Sequence, residues 1–134
     1  MILVDSNIFM YASGGEHPHR GPSAVFLRSV LDGNVRAAID AEVLQEILHR
    51  YTSIGRWEEG RVVYDGARIF FETVLPVTAK VMDVARRLFD EYPGFSARDA
   101  VHAAAVEIYD LSGICSFDRH FDRIHGLRRV EPGV

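Results

Sequence analysis

The chain has 134 residues, 48% hydrophobic and 25% charged, the make-up of one globular domain that can bury roughly two-thirds of the surface its unfolded chain exposes. Its formal net charge of −4 argues against a protein that coats nucleic acid by bulk electrostatics, and no segment approaches the roughly 20 uncharged apolar residues of a membrane span. The lone cysteine, Cys115, cannot form an internal disulfide, and the N-terminal segment lacks a basic region followed by a long apolar core, so a cytoplasmic protein is expected.

Ile2, Leu3 and Val4 read as a fully apolar strand ended by a carboxylate, Asp5, with a short helix from about Ser6 to Ala12. Apolar spacing over 18–32 (Val25, Phe26, Val30, Leu31) predicts a helix that stops at Asp32-Gly33, with Pro22 leaving its start open. "VRAAI" (35–39) is a second strand, and Asp40 caps a helix to about Ser53 with Val43, Leu44, Ile47, Leu48 and Tyr51 on one face. Residues 56–71 form another helix, in which Gly60 and Gly66 each cost about 1 kcal/mol relative to Ala. "TVLPV" (73–77) is an edge strand, because Pro76 cannot donate to a ladder. An amphipathic helix over 78–92 ends at Pro93-Gly94, and Ser96 then caps a helix to about Asp110 that is apolar nearly all round and therefore buried. "GICSFD" (113–118) is a buried strand and "LRRV" (127–130) a peripheral last one. Strands alternating with helices imply an α/β fold in one domain spanning 1–134: a parallel sheet of about five strands with helices on both faces.

In such sheets ligands sit outside the carboxyl ends of the strands, near the point where strand order reverses. Asp5 and Asp118 are each the first charged residue after a buried strand, so if those strands are neighbours both carboxylates project from one edge. Asp99, early in the buried helix before the Cys115 strand, faces the same edge by chain direction. Each acid has a plainer reading: Asp5 as a helix cap, Asp99 as the acidic partner of Ser96 in a capping box, Asp118 as a turn residue. Asp122 is open between a solvated turn and an ion pair with Arg119 or Arg123. On the 41–53 helix, Glu42 lies almost opposite the apolar stripe and Glu46 nearer its edge, so Glu46 is the better candidate to face the site, against an alternative pairing with Arg50. Crowded carboxylates repel, and a divalent cation resolves the conflict. Hard oxygen ligands at a partly open site suit Mg²⁺ or Mn²⁺, whose usual substrates are phosphates, so hydrolysis of a nucleic-acid backbone is the chemistry that follows. His102, one turn after Asp99, reads as a hydrogen-bonded core histidine, and "EHPHR" (16–20) as a surface loop.

The segments "ILVDSNIFMYA", "VLQEILHRY" and "SARDAVHAAAVEIYDLSGICSFDRHFDRIHGLRRV" resemble the PIN-domain nucleases, especially the VapC toxins of bacterial toxin–antitoxin pairs, over essentially the whole chain. The resemblance implies endonucleolytic cleavage of RNA in an acidic pocket binding Mg²⁺ or Mn²⁺. It maps the catalytic acids onto Asp5, Glu46, Asp99 and Asp118, with Asp122 as an additional acid. Asp5 and Asp99 would hold the principal metal, Glu46 support it, and Asp118 with Asp122 serve a second ion. Asn7 and Ser116 stand at supporting polar positions, and Arg98, Arg119 and Arg123 are candidate RNA contacts. A VapB-like antitoxin and a homodimer are the implied partners, with no membrane. The rivals are a PIN-type RNA-processing nuclease outside such a pair, a PIN-fold module that grips RNA without cutting it, and a phosphoryl-transfer enzyme working through an aspartyl intermediate. The last resembles an Asp-x-Asp after the first strand, or an acidic pair before an Asp nucleophile, where this chain has Asp5-Ser6-Asn7.

Overall fold

The structure, a computed structural model, describes residues 1–133. Strands β1 (Ile2–Val4), β2 (Ala37–Asp40), β3 (Val74–Leu75), β4 (Ile114–Cys115) and β5 (Arg129–Val130) form one sheet in the order β3-β2-β1-β4-β5. Every pairing is parallel, as the alternation of strands and helices requires. The two strands expected to be peripheral, β3 and β5, are the edges. Helices α1 (Ser6–Ser13), α2 (Arg20–Leu31), α3 (Ala41–Ser53), α4 (Trp57–Phe70), α5 (Ala79–Glu91) and α6 (Ala97–Ile108) connect them. A 3-10 helix at Arg119–Arg123, which the sequence pattern did not signal, follows β4.

Two-residue alternation sorts the strand side chains onto two cores. Ile2 and Val4, with Ile39 and Cys115, join Ile8, Phe9, Val43, Ile47 and Val63 beneath α1 to α4. Leu3 and Ile114 point the other way, into a second core with Val81, Ala85 and Leu88 of α5 and Ala100, Val101 and Ala104 of α6. The α6 segment from Ala100 to Val106 is buried at every position, which its run of small side chains permits. Helix starts follow local chemistry: Asp40 accepts the Val43 amide at 3.0 Å, Thr78 that of Val81 at 3.3 Å, and Ser96 that of Asp99 at 3.1 Å. Pro22 falls in the first turn of α2, where an amide would lack a helical partner anyway.

The strand register is what positions the site. Leu3 lies opposite Ala38 of β2, and Val4 opposite Cys115 of β4. Carried on past the ladder, the same register sets Asp5 level with Asp40 on one side and Ser116 on the other, and the Asp5 amide indeed donates to the Cys115 carbonyl at 3.0 Å. Sheet order reverses at β1, since β2 and β3 lie to one side of it and β4 and β5 to the other. The carboxyl end of β1 is therefore the place where such a fold opens a crevice.

The two glycines of α4 turn out to differ. A Cβ at Gly60 would stand 2.4 Å from the Tyr51 Cβ, so this glycine lets α4 close onto α3, whereas a Cβ at Gly66 meets nothing within 4 Å. We expect Gly66→Ala to stabilise the protein by up to about 1 kcal/mol through helix propensity, and Gly60→Ala to destabilise it by roughly 1–3 kcal/mol through overpacking. Urea denaturation of the two variants beside the wild type checks both signs.

Candidate active site

Asp5 ends β1 in extended backbone and is almost completely buried, yet both its oxygens are occupied. Oδ1 accepts the Ser6 amide at 2.7 Å, which makes Asp5 the cap of α1, and Oδ2 accepts the Ser116 hydroxyl at 2.6 Å. That hydroxyl in turn accepts the Asn7 side-chain amide at 3.2 Å and the Asp118 backbone amide at 2.9 Å. Ser116, fully buried at the end of β4, is thus the joint that ties the first acid to the loop carrying Asp118. Asn7 spends its nitrogen on this joint, and its Oδ1 is buried without a hydrogen-bond partner.

Behind Asp5 lies a chain of buried ionisable groups. His102 of α6 has no solvent exposure; its Nδ1 meets Asp40 Oδ2 at 2.7 Å and its Nε2 meets Glu46 Oε1 in a short hydrogen bond, with Asp5 Oδ1 at 3.7 Å. The other oxygen of Glu46 accepts the Ser6 hydroxyl at 2.9 Å. Burial opposes a charge on His102, but the charge of Asp40, the hydrogen bonds to Asp40 and Glu46, and the nearby Asp5 together outweigh it and lift the imidazole pKa well above its ordinary value. The ring bridges the two carboxylates. Burial also pushes the Asp5 carboxyl up, against the downward pull of His102.

Asp99 and Asp118 form the outer part of the same site. Burial first, then the charges of Asp118 and Asp5, push the Asp99 carboxyl up to about 6. Asp118 caps the 3-10 helix by accepting the His120 amide at 2.9 Å, and the His120 ring stands 3.2 Å from it. One ligand atom from each of Asp5, Glu46 and His102 lies within 4.8 Å of the others, and the same holds for Asp99, Asp118 and His120. The carboxylates of these groups suit a hard divalent cation, whereas His102, with both ring nitrogens committed to Asp40 and Glu46, is no ligand. Asp99 is pushed up by burial and by the neighbouring acids, and an orphaned amide oxygen, Asn7 Oδ1, sits among the residues lining the same cleft.

Asp5, Glu46, Asp99 and Asp118 line a cleft of about 640 Å³ together with Asn7, whereas Glu42 does not reach it. Arg98 lines it too, but Arg119 and Arg123 do not; Arg123 instead donates to the Pro93 carbonyl at 3.1 Å and lies over the Phe95 ring. Asp122 is not brought to the cleft either. Arg129 holds its two oxygens at 2.9 and 3.2 Å, and that pairing lowers the Asp122 pKa. Of the two alternatives for Asp122 the ion pair is the one formed, with Arg129 in place of Arg119 or Arg123, and Glu46 takes bonds from Ser6 and His102 in place of a pair with Arg50. Arg56 and His120, which are no candidates in the sequence, line the cleft, and so does Arg50, the alternative partner of Glu46 one turn away on the same helix. Asp40 caps α3 as its place in the sequence predicts, and its second oxygen holds His102.

The PIN domain model matches residues 2–127. A VapC ribonuclease of Mycobacterium bovis and ribonuclease VapC13 of Mycobacterium tuberculosis are each 43% identical over 130 residues, 97% of this chain and 99% of theirs. Among solved structures, VapBC2 from Rickettsia felis bound to a DNA fragment from its promoter superposes with a TM-score of 0.76 at 19% identity, covering 98% of this chain and 99% of that one. VapC20 of M. tuberculosis, a sarcin–ricin loop cleaving toxin, superposes with a TM-score of 0.74 at 20% identity, covering 98% and 100%. These two likenesses concern the fold.

Two outcomes follow for the metal-free protein. Removing the imidazole in His102→Ala leaves Asp40 and Glu46 facing each other uncompensated, and unfolding in urea is expected to show a loss of about 3–5 kcal/mol. The Asp99 carboxyl is pushed up to about 6 in the folded chain, against about 4 for an ordinary aspartate, so its ionisation costs stability as pH rises through that window. The His102 contribution has the same sign, being complete below 6.5 and lost as pH rises through its elevated folded value. Thermal melts across pH 4–7 should therefore show the stability of Asp99→Asn gaining on that of the wild type as pH rises, and saturating Mn²⁺ should narrow the gap near neutral pH.

Proposed function

This chain belongs to the PIN-domain family, and from that premise we propose that it is a metal-dependent endoribonuclease, the toxin of a VapBC-type toxin–antitoxin pair. The observation that carries the reading is the gathering of Asp5, Glu46, Asp99 and Asp118 along one cleft at the switch point of the sheet. Asp5 and Asp99 would hold the principal Mg²⁺ or Mn²⁺ with Glu46 in support, and Asp118 would serve a second ion or its hydration shell. When bound, the metal supplies the Lewis acid that activates water and stabilises the leaving oxygen of the phosphodiester.

The chain's own residues do the rest. Ser116 fixes the plane of the Asp5 carboxylate and, through the Asp118 amide, its spacing from the outer acids. His102, locked by Asp40, aims one oxygen of Glu46 inward while Ser6 holds the other. Arg50 and Arg98 give the rim positive charge where an RNA backbone would enter, Arg56 being paired with Glu59 at 2.7 Å, so an acidic protein need not attract nucleic acid over its whole surface. The 43% identical relatives are ribonucleases of the VapC group over nearly their full length, which supports reading 1–134 as the PIN domain. The same kinship supports a VapB-like antitoxin as partner, a homodimer and a cytoplasmic location. No described helix is long and apolar enough to cross a membrane.

The test incubates protein free of antitoxin with structured RNAs and Mg²⁺ or Mn²⁺. Wild type should cleave and lose all activity to a chelator. Asp5→Asn should fall by at least about 100-fold, and Ser116→Ala, which acts through Asp5, by roughly 10-fold. Equal cleavage by wild type and Asp5→Asn, or activity that survives chelation, would falsify the mechanism.

A further inference from the structure

The loop that carries Asp118 to the cleft runs from Ser116, just past β4, to Asp122 in the 3-10 helix. One side chain holds both ends of it. Arg129 stands on the edge strand β5; its neighbour Val130 packs on the first core, so strand alternation sends the Arg129 side chain to the other face of the sheet. There its Nη1 donates to the Ser116 carbonyl at 3.0 Å, while Nε and Nη2 donate to the two oxygens of Asp122 at 2.9 and 3.2 Å. Nη1 also donates to Glu131 at 3.0 Å, so every nitrogen of the guanidinium is engaged. The Arg129 side chain is only 12% exposed, whereas that of Asp122 reaches the surface.

A planar fork with fixed donor directions sets both the distance and the angle between the Ser116 carbonyl and the Asp122 carboxylate, which a point charge would not. Fixed ends leave the residues between them little freedom, and bonds within the loop pass that constraint to the acids. The hydroxyl of Ser116, whose carbonyl Arg129 holds, donates to Asp5 and accepts the Asp118 amide, and Asp118 in turn accepts the His120 amide. Phe121, fully buried, seats the 3-10 helix on its apolar side, but among the described residues no side chain other than Arg129 bonds to both ends of the loop. Neither Arg129 nor Asp122 lines the cleft, so whatever they do for it they do through other groups.

We propose that Arg129 and Asp122 form a clamp that positions Asp118 and the Ser116–Asp5 joint for the metal, with Asp122 serving as the anchor of Arg129 and not as a ligand. This rests on the ribonuclease reading and adds two positioning residues to it, one of which the family resemblance assigns to the second ion. The two roles for Asp122 differ in sign. An acid that Arg129 kept from the metal would be released by removing the arginine and would tighten metal binding, whereas loss of a clamp loosens it.

The experiment strips the full chain with chelator and titrates it with Mn²⁺, reading the free ion by electron paramagnetic resonance, with a urea midpoint for each variant to report the fold. Arg129→Met and Asp122→Ala should each weaken Mn²⁺ binding roughly tenfold, and the double variant should bind no more weakly than either alone. Arg129→Lys, which keeps the charge and loses the fork, should weaken binding as well. In cleavage kinetics at fixed Mn²⁺ the same variants should lower kcat and leave the KM for RNA unchanged. Tighter binding by Arg129→Met, a further loss of about tenfold in the double variant, or full retention by Arg129→Lys would each overturn the clamp. Should Arg129→Met not fold, Asp122→Ala, at an exposed side chain, carries the same expectation. On the wild type itself, carboxylate NMR during a Mg²⁺ titration should move the Asp118 signal and leave that of Asp122 in place, and a shift at Asp122 overturns the clamp. Wild type that binds Mn²⁺ and cuts RNA, with both unchanged in the variants, removes the clamp alone; wild type that neither binds Mn²⁺ nor cuts RNA removes the ribonuclease reading with it.

Discussion

Everything at this site depends on how one fold keeps several carboxylates close together without an internal ion pair of the usual kind. Asp5, Asp40 and Glu46 converge at the end of β1, where burial makes unbalanced negative charge expensive. The fold answers with His102, threaded on α6 between Asp40 and Glu46 and within reach of Asp5. A histidine suits this place better than an arginine or lysine would, because its flat ring offers two nitrogens pointing in opposite directions and fits within a helix packed by alanines.

That arrangement divides the acids into two groups with different physics. The inner carboxylates have every visible oxygen contact supplied by protein: Ser6, Ser116, the Val43 amide and His102. The outer pair has fewer: Ser96 beside the Asp99 carboxyl, and the His120 amide and exposed ring beside Asp118. Rigidity belongs to the first group and unsatisfied charge to the second. A site that takes up a cation needs both, since the held ligands define where the ion goes and the crowded outer acids gain from its charge.

The sheet makes this division possible. Parallel strands bring their carboxyl ends to one edge, and the reversal of order at β1 leaves room there for side chains from α3, α6 and the turn after β4. Charge then grades outward, from buried acids through half-exposed acids to the arginines of the rim. Asp122 falls outside this gradient because the 3-10 helix carries it toward Arg129 on the edge strand, where a bidentate pair satisfies it at the surface.

Local chemistry in the chain by itself determined the strands, the caps at Asp40 and Ser96, the burial of the alanine-rich helix and the arrival of Asp5, Asp99 and Asp118 at one edge. Each of these follows from spacing within a few residues or from the direction a parallel strand must run. Glu46 was legible for the same reason, as a place on a helical wheel. Tertiary structure alone decided that Asp40 and Glu46 share His102, partners 62 and 56 residues away, because that contact depends on how α6 docks across the sheet against α3. It also decided that Gly60 is needed and Gly66 is not, that Asp122 turns to Arg129, and that "EHPHR", a surface loop by composition, lays a histidine ring on Phe117. Periodicity reports which face of an element is apolar, but not which polar groups meet once two elements have packed.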